Sequence, residues 1–171
     1  MLLRRHLQAI AALPFVVTVV IPVWLARRNH TPLRLGNGWQ ALLEQAAGVV
    51  LLACGLWLFI KSLSRFAKEG EGTLAPWDPP RRLVVNGVYR YVRNPMISGV
   101  ILILLGEGCM LLSSPHLLWA LVFFGINAVY IPFMEEPFLL RRFGEDYREY
   151  CRHVRRLIPR LRPWKGSKSQ S

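Results

Sequence analysis

Val88–Leu112 reads VYRYVRNPMISGVILILLGEGCMLL, a basic and aromatic collar, an Asn-Pro pair, then an apolar run broken by one acid, Glu107. Crossing a hydrocarbon core of about 30 Å takes roughly 20 apolar residues, and Met96–Leu112 approaches that length. Three further windows do the same: Leu7–Ala26, Ala41–Ile60 and Leu117–Met134. With 53% of 171 residues hydrophobic, the chain reads as a polytopic membrane protein. Lipid admits only helices or closed barrels, and these runs are too long for barrel strands. The predicted fold is therefore all-α, a membrane helical bundle of about four spans. Arg4 and Arg5 ahead of Leu7–Ala26 would suit a cleaved signal peptide, but the run is long and WLARRNH after it offers no small-residue cleavage site, so a retained span is expected.

Charge sets the orientation. With four spans both termini share a side, and that side collects nineteen of the 22 Lys and Arg residues, leaving Arg27, Arg28 and Arg34 opposite. The positive-inside rule then predicts cytoplasmic termini and a cytoplasmic middle section, in what is expected to be a bacterial inner membrane. The net charge of +12 needs no nucleic acid, since no nucleic-acid module accompanies it, and acidic headgroups are the simpler partner. Cys54, Cys109 and Cys151 show no CxxC spacing, so neither a disulfide framework nor a metal site is predicted.

The chain divides into two N-terminal spans (1–60), a longer section (61–163) comprising a cytoplasmic loop, a helical hairpin and a C-terminal helix, and a flexible tail (164–171). Pro14 and Pro22 should bend the first span. Residues from Lys61 to Arg93 are too rich in Gly and Pro for one helix and read as an ordered loop or lid, with LVVNGVYRYV available to pack. Only Ser113–His116 separate the third and fourth windows, which forces an antiparallel hairpin. After it, Leu140, Phe143, Tyr147, Tyr150 and Val154 recur at spacings of three and four, the apolar face of an amphipathic cytoplasmic helix.

Some of these residues have simple structural explanations. Asn94 and Pro95 are a favoured N-cap and first helical residue, although the helix start beside Arg93 would also suit a carboxylate or phosphate. Gly99 and Gly106, seven apart, suit close helix packing. Glu44 lies near the end of its span, whereas Glu107 is an ionisable group deep in one and so should face a partner or cavity. Glu135-Glu136, read as the negative end of the fourth helix, demand cationic compensation. One could pair with Arg141 or Arg142 while the other faces a ligand.

Together, GVYRYVRNPMISGVILILLGEG, the hairpin and EEPFLLRRFGEDYREYCRHVRRLIPRL resemble the isoprenylcysteine carboxyl methyltransferase and phospholipid methyltransferase superfamily of integral membrane enzymes. The resemblance covers about Asn86–Pro163. It implies methyl transfer from S-adenosylmethionine at the cytoplasmic membrane face to a lipophilic or small acceptor, a carboxylate, amine or thiol. It implies a cofactor pocket formed by Tyr91, Arg93, Asn94, Pro95 and Gly99 on one side and Glu135 and Glu136 on the other, covered by Tyr147 and Tyr150, with Arg93, Glu135 and Glu136 as the catalytic set. Two positions depart from the family pattern: Asn94 stands where His is frequent and Ile97 where Tyr is. An amide can cap a helix but cannot accept a proton near neutral pH. An amine acceptor would need Glu135, Glu136 or Glu107 as base.

Two other classes fit parts of the chain. A membrane reductase would use NADPH, but no dinucleotide glycine fingerprint is present. A small transporter or accessory protein would line an ion path with Glu44 and Glu107, and leaves the Glu pair beside an aromatic helix unexplained.

Overall fold

The computed structural model describes residues 13–31, 36–69 and 82–165. Arg4, Arg5, the first part of Leu7–Ala26, most of the Gly- and Pro-rich connector and all but the first two residues of the tail lie outside the described residues.

Helix α1 covers Ile21–Arg28, α2 Trp39–Glu69, α3 Pro95–Met110, α4 Ser114–Tyr130 and α5 Glu136–His153. No strand occurs among the described residues. The all-helical expectation holds, and two helices are long and apolar enough to cross a membrane: α2, and the helix that runs from Ser114 to His153. With 16 residues, roughly 24 Å, α3 is a shorter apolar helix.

Proline explains the two irregular turns. Residues Val16–Val20 ahead of α1 and Ile131–Glu135 between α4 and α5 are π-helical. Each is followed, after one residue, by a proline: Pro22 and Pro137. A proline has no N–H for the carbonyl four residues back and its ring crowds that carbonyl, so the ladder slips by one residue. Accordingly Ile21 N–H donates to Val16 O and Glu136 N–H to Ile131 O, both five residues back.

Three expectations need correction. The helix does not end at Met134, because Pro132 and Pro137 shift its register without breaking it; Glu135-Glu136 are thus not at a helix C-terminus. Lys61 does not open a loop, since α2 continues to Glu69 through Ser62, Arg65 and Lys68. Outside lipid, polar residues sustain a helix as well as apolar ones. Finally, the amphipathic helix is interrupted at Gly144, whose φ of 56° and ψ of −127° are left-handed and non-helical. Only its Tyr147, Tyr150 and Val154 are buried, while Leu140 is exposed.

The described residues form two compact units, one from within 1–57 and 99–125, the other from within 58–98 and 126–165. In the first, α2 and α3 touch backbone to backbone. A Cβ on Gly48 would lie 2.8 Å from Gly106 O, and one on Gly55 would lie 2.7 Å from Gly99 O. The glycines recur at intervals of seven in each helix, so antiparallel pairing brings 48 to 106 and 55 to 99. Polar groups in this unit fasten the irregular α1: buried His116 takes Ser113 Oγ at Nδ1 (2.7 Å) and Pro22 O at Nε2 (3.1 Å), and Trp119 Nε1 donates to Val17 O.

In the second unit, Phe66, Val84 and Tyr89 form one apolar cluster, joined by Val88 and Met96. The expected packing of LVVNGVYRYV is found there. Tyr147, Tyr150 and Val154 form another, against Leu83, Val85, Phe143 and Trp164. Beyond Val154 the chain is irregular, with bends, and laced to the collar: Arg93 N–H donates to Arg155 O, Asn94 N–H to Arg156 O, Arg160 N–H to Tyr91 O and Trp164 N–H to Arg90 O. Trp164, read as the start of the tail, is instead held by that bond and stacks on His153.

Candidate functional site

Arg93, Asn94 and Pro95 lead into α3, and Asn94 O accepts Ser98 N–H as the first helical bond. Ser98 Oγ donates to Leu157 O at 2.7 Å, tying this start to the C-terminal segment. Arg93 is only 10% exposed. Its Nη1 lies 3.0 Å from Glu136 Oε1 and 2.6 Å from Cys151 Sγ. Its Nε is buried with no hydrogen-bond partner among the described residues. An orphaned guanidinium N–H is costly to bury, so it marks a place for an acceptor.

Glu136 is fully engaged. Arg156 Nε donates to Oε1 at 2.6 Å and Nη2 to Oε2 at 2.9 Å, a bidentate fork, with Arg93 as a second cation. The sequence pointed to Arg141 or Arg142 for this role, and both are elsewhere: Arg141 Nε donates to Pro137 O in its own helix, and Arg142 lies over the Phe143 ring. Five and six residues along the same helix, neither sits on the i+3 or i+4 face that meets Glu136.

Glu135 differs from its neighbour. It follows directly on the apolar run Leu117–Met134, lies outside it, and has no ion pair or hydrogen bond among the described residues. Burial, then the Glu136 carboxylate, push its carboxyl up to about 7, with Arg93 pulling the other way. Its field reaches Tyr89, whose phenol burial pushes up to about 12; the Ser62 hydrogen bond opposes that shift, and Glu135 and Glu69 add to it. Burial likewise raises the Tyr147 and Tyr150 phenols, so both act only as neutral hydrogen-bonding groups. Tyr150 OH donates to Tyr89 O at 2.6 Å.

Of the residues expected at the site, the second unit thus brings together Arg93, Asn94, Pro95, Glu136, Tyr147 and Tyr150, with Glu135 within electrostatic range of Arg93. The Tyr91 side chain is exposed, and its backbone carbonyl holds Arg160. Gly99 is engaged in the first unit, with its carbonyl against Gly55. Sequence reasoning missed Arg156, Cys151 and Tyr89. Tyr89 sits in the collar itself and could have been singled out as an aromatic amid basic residues. Arg156 is one arginine among many in an aperiodic segment and gave no signal.

A model of the phospholipid methyltransferase family matches residues 43–146, more than half of the chain, including Arg93 and both glutamates. Probable protein-S-isoprenylcysteine O-methyltransferases of rice, Oryza sativa subspecies indica and japonica, are each 32% identical over 84 residues, covering 48% of this chain and 44% of the relative. The aligned part of the chain thus spans less than half the length of these curated relatives. The extent of the family match, over apolar helices and the Arg93 and Glu135-Glu136 positions alike, makes this chain a member of the phospholipid methyltransferase family of membrane methyltransferases.

Proposed function

We propose that the chain transfers a methyl group from S-adenosylmethionine to a lipophilic or small acceptor at the cytoplasmic membrane face, as a four-span protein with both termini in the cytoplasm. The observation that carries this reading is the asymmetry of the adjacent glutamates. Glu136 is neutralised by Arg93 and Arg156, whereas Glu135, though within range of Arg93, has no ion pair among the described residues. The donor molecule carries an ammonium and a sulfonium to complement Glu135 and a carboxylate to complement the orphaned Arg93 N–H, so the residues present fit it. When bound it supplies an electrophilic methyl group.

The chain's own contribution is placement and exclusion of water. Arg93 fixes the carboxylate end and is itself fixed by Glu136. Tyr147 and Tyr150, pinned by burial, close the aromatic wall. Holding reactants aligned is worth on the order of 7–11 kcal/mol of barrier. A carboxylate or thiolate acceptor needs no further help, and for an ammonium acceptor Glu135 is the candidate base.

Calorimetric titration of the detergent-purified protein with S-adenosylhomocysteine, with NADPH as the comparison ligand, tests the reading. Saturable binding of the former alone is expected, weakened at least tenfold in Glu135→Gln by loss of about 1.4 kcal/mol of charge pairing. Binding of NADPH alone, or of neither ligand to folded protein, would overturn it.

A further inference from the structure

We infer that Arg155–Lys165 is a docking strap for the surface of a bilayer leaflet carrying acidic headgroups. Three observations meet on this segment. Its backbone is fastened to the residues just ahead of the apolar run of α3, with Asn94 N–H donating to Arg156 O, and Arg160 N–H and Trp164 N–H donating to Tyr91 O and Arg90 O, and Arg156 grips Glu136, two residues past the apolar run Leu117–Met134. The strap therefore sits at the depth where the chain leaves hydrocarbon. Two of its apolar side chains point away from the protein, Ile158 at 66% and Leu161 at 100% exposed. On either side of them stand Arg155, Arg162 and Lys165, exposed and without an ion pair among the described residues. No acidic residue occurs from Cys151 to the end of the sequence.

Two bare aliphatic side chains set among unpaired cations suit only a partner that is negative at its face and apolar beneath it. An acidic leaflet has that layering: guanidinium and ammonium groups meet phosphate while Ile158 and Leu161 enter the acyl boundary. A soluble acidic peptide would pair the arginines and leave the aliphatic groups in water. Because the same segment carries Arg156, leaflet docking also steadies the clamp on Glu136. This inference concerns the strap alone and does not depend on which cofactor the site takes.

Hydrogen–deuterium exchange of the full chain in nanodiscs tests it. Near an acidic surface three basic side chains shift the docked ratio roughly a hundredfold. Amides of residues 157–163 should exchange markedly more slowly in discs containing phosphatidylglycerol than in pure phosphatidylcholine. High salt should erase the difference, as should combined Arg155→Gln, Arg162→Gln and Lys165→Gln; combined Ile158→Ser and Leu161→Ser should reduce it. Exchange over residues 145–153 reports that each variant remains folded. Equal exchange in both discs, equal slowing in discs of cationic lipid, or slowing by a soluble acidic peptide in phosphatidylcholine discs would each overturn the proposal.

Discussion

In residues 13–57 and 99–125 helices meet through bare backbone at Gly48, Gly55, Gly99 and Gly106, whereas residues 58–98 and 126–165 are joined by guanidinium, carboxylate and phenol groups. Close approach without side chains gives contacts that are insensitive to charge and intolerant of volume. A network of Arg93, Glu136 and Arg156 tolerates modest changes of shape but depends on protonation and on each partner being present. One protein thus has a part that can be broken by adding a methyl group and a part that can be broken by removing a charge.

The largest effect should come from overpacking the glycine contact. Gly55→Leu puts atoms where Gly99 O and Ile103 N already lie within 2.8 Å of a Cβ, and should destabilise by about 3 kcal/mol or more. Thermal unfolding in detergent, followed by circular dichroism, would read this, and an unchanged midpoint would refute the backbone contact. Gly125→Ala, with nothing within 4 Å, should be silent in the same assay.

Charge removal in the other unit comes next and should be graded by burial. Arg93→Met removes a cation that is 10% exposed and leaves Glu136 only the Arg156 fork, for a loss of about 2 kcal/mol. Arg156 is 38% exposed, so Arg156→Met should lose about 1 kcal/mol after solvent screening. A reversed order in urea or thermal unfolding would mean that the bidentate fork, and not burial, dominates.

The last effect is one of pH. Glu135 is raised to about 7 from an ordinary carboxyl value of 4.5, so the native state holds its proton more tightly than the unfolded chain. Its ionisation therefore costs stability above pH 7, and that cost vanishes as pH falls from 7 toward 4.5. Binding runs the other way, because a cation needs the ionised form. Affinity for S-adenosylhomocysteine should be full above pH 7 and drop by up to about tenfold per pH unit below it. Both trends should be absent in Glu135→Gln, and a pH-independent affinity in the unmodified protein would remove Glu135 from the cation site.

The apolar windows were legible because lipid demands long runs of one character, and the seven-residue interval of Gly99 and Gly106 correctly announced close packing. The same interval in Gly48 and Gly55 was equally readable. Asn94-Pro95 announced the start of α3, and the Glu pair announced a need for cations. What could not be read was which cation. Arg156 reaches Glu136 only because an aperiodic segment doubles back along the collar, a long-range backbone pairing with no local pattern. Nor was the helical register legible after Met134, since prolines that usually end helices here shift them by a residue.

That register shift bears on how the chain can change length. The turn Ile131–Glu135 already holds one residue more than an α-helical turn, so deleting a single residue there would restore regular spacing with little loss of helix. Because the widened turn alone absorbs the extra residue, Glu136 N–H would still meet Ile131 O, now four residues back, and everything downstream would keep its present bearing. A deletion variant lacking Phe133 should thus retain both its far-ultraviolet dichroism and its S-adenosylhomocysteine binding, and loss of binding would show that the wide turn itself shapes the site. Where a change of one residue in chain length is concerned, this turn is a place at which fold and site are both forgiving.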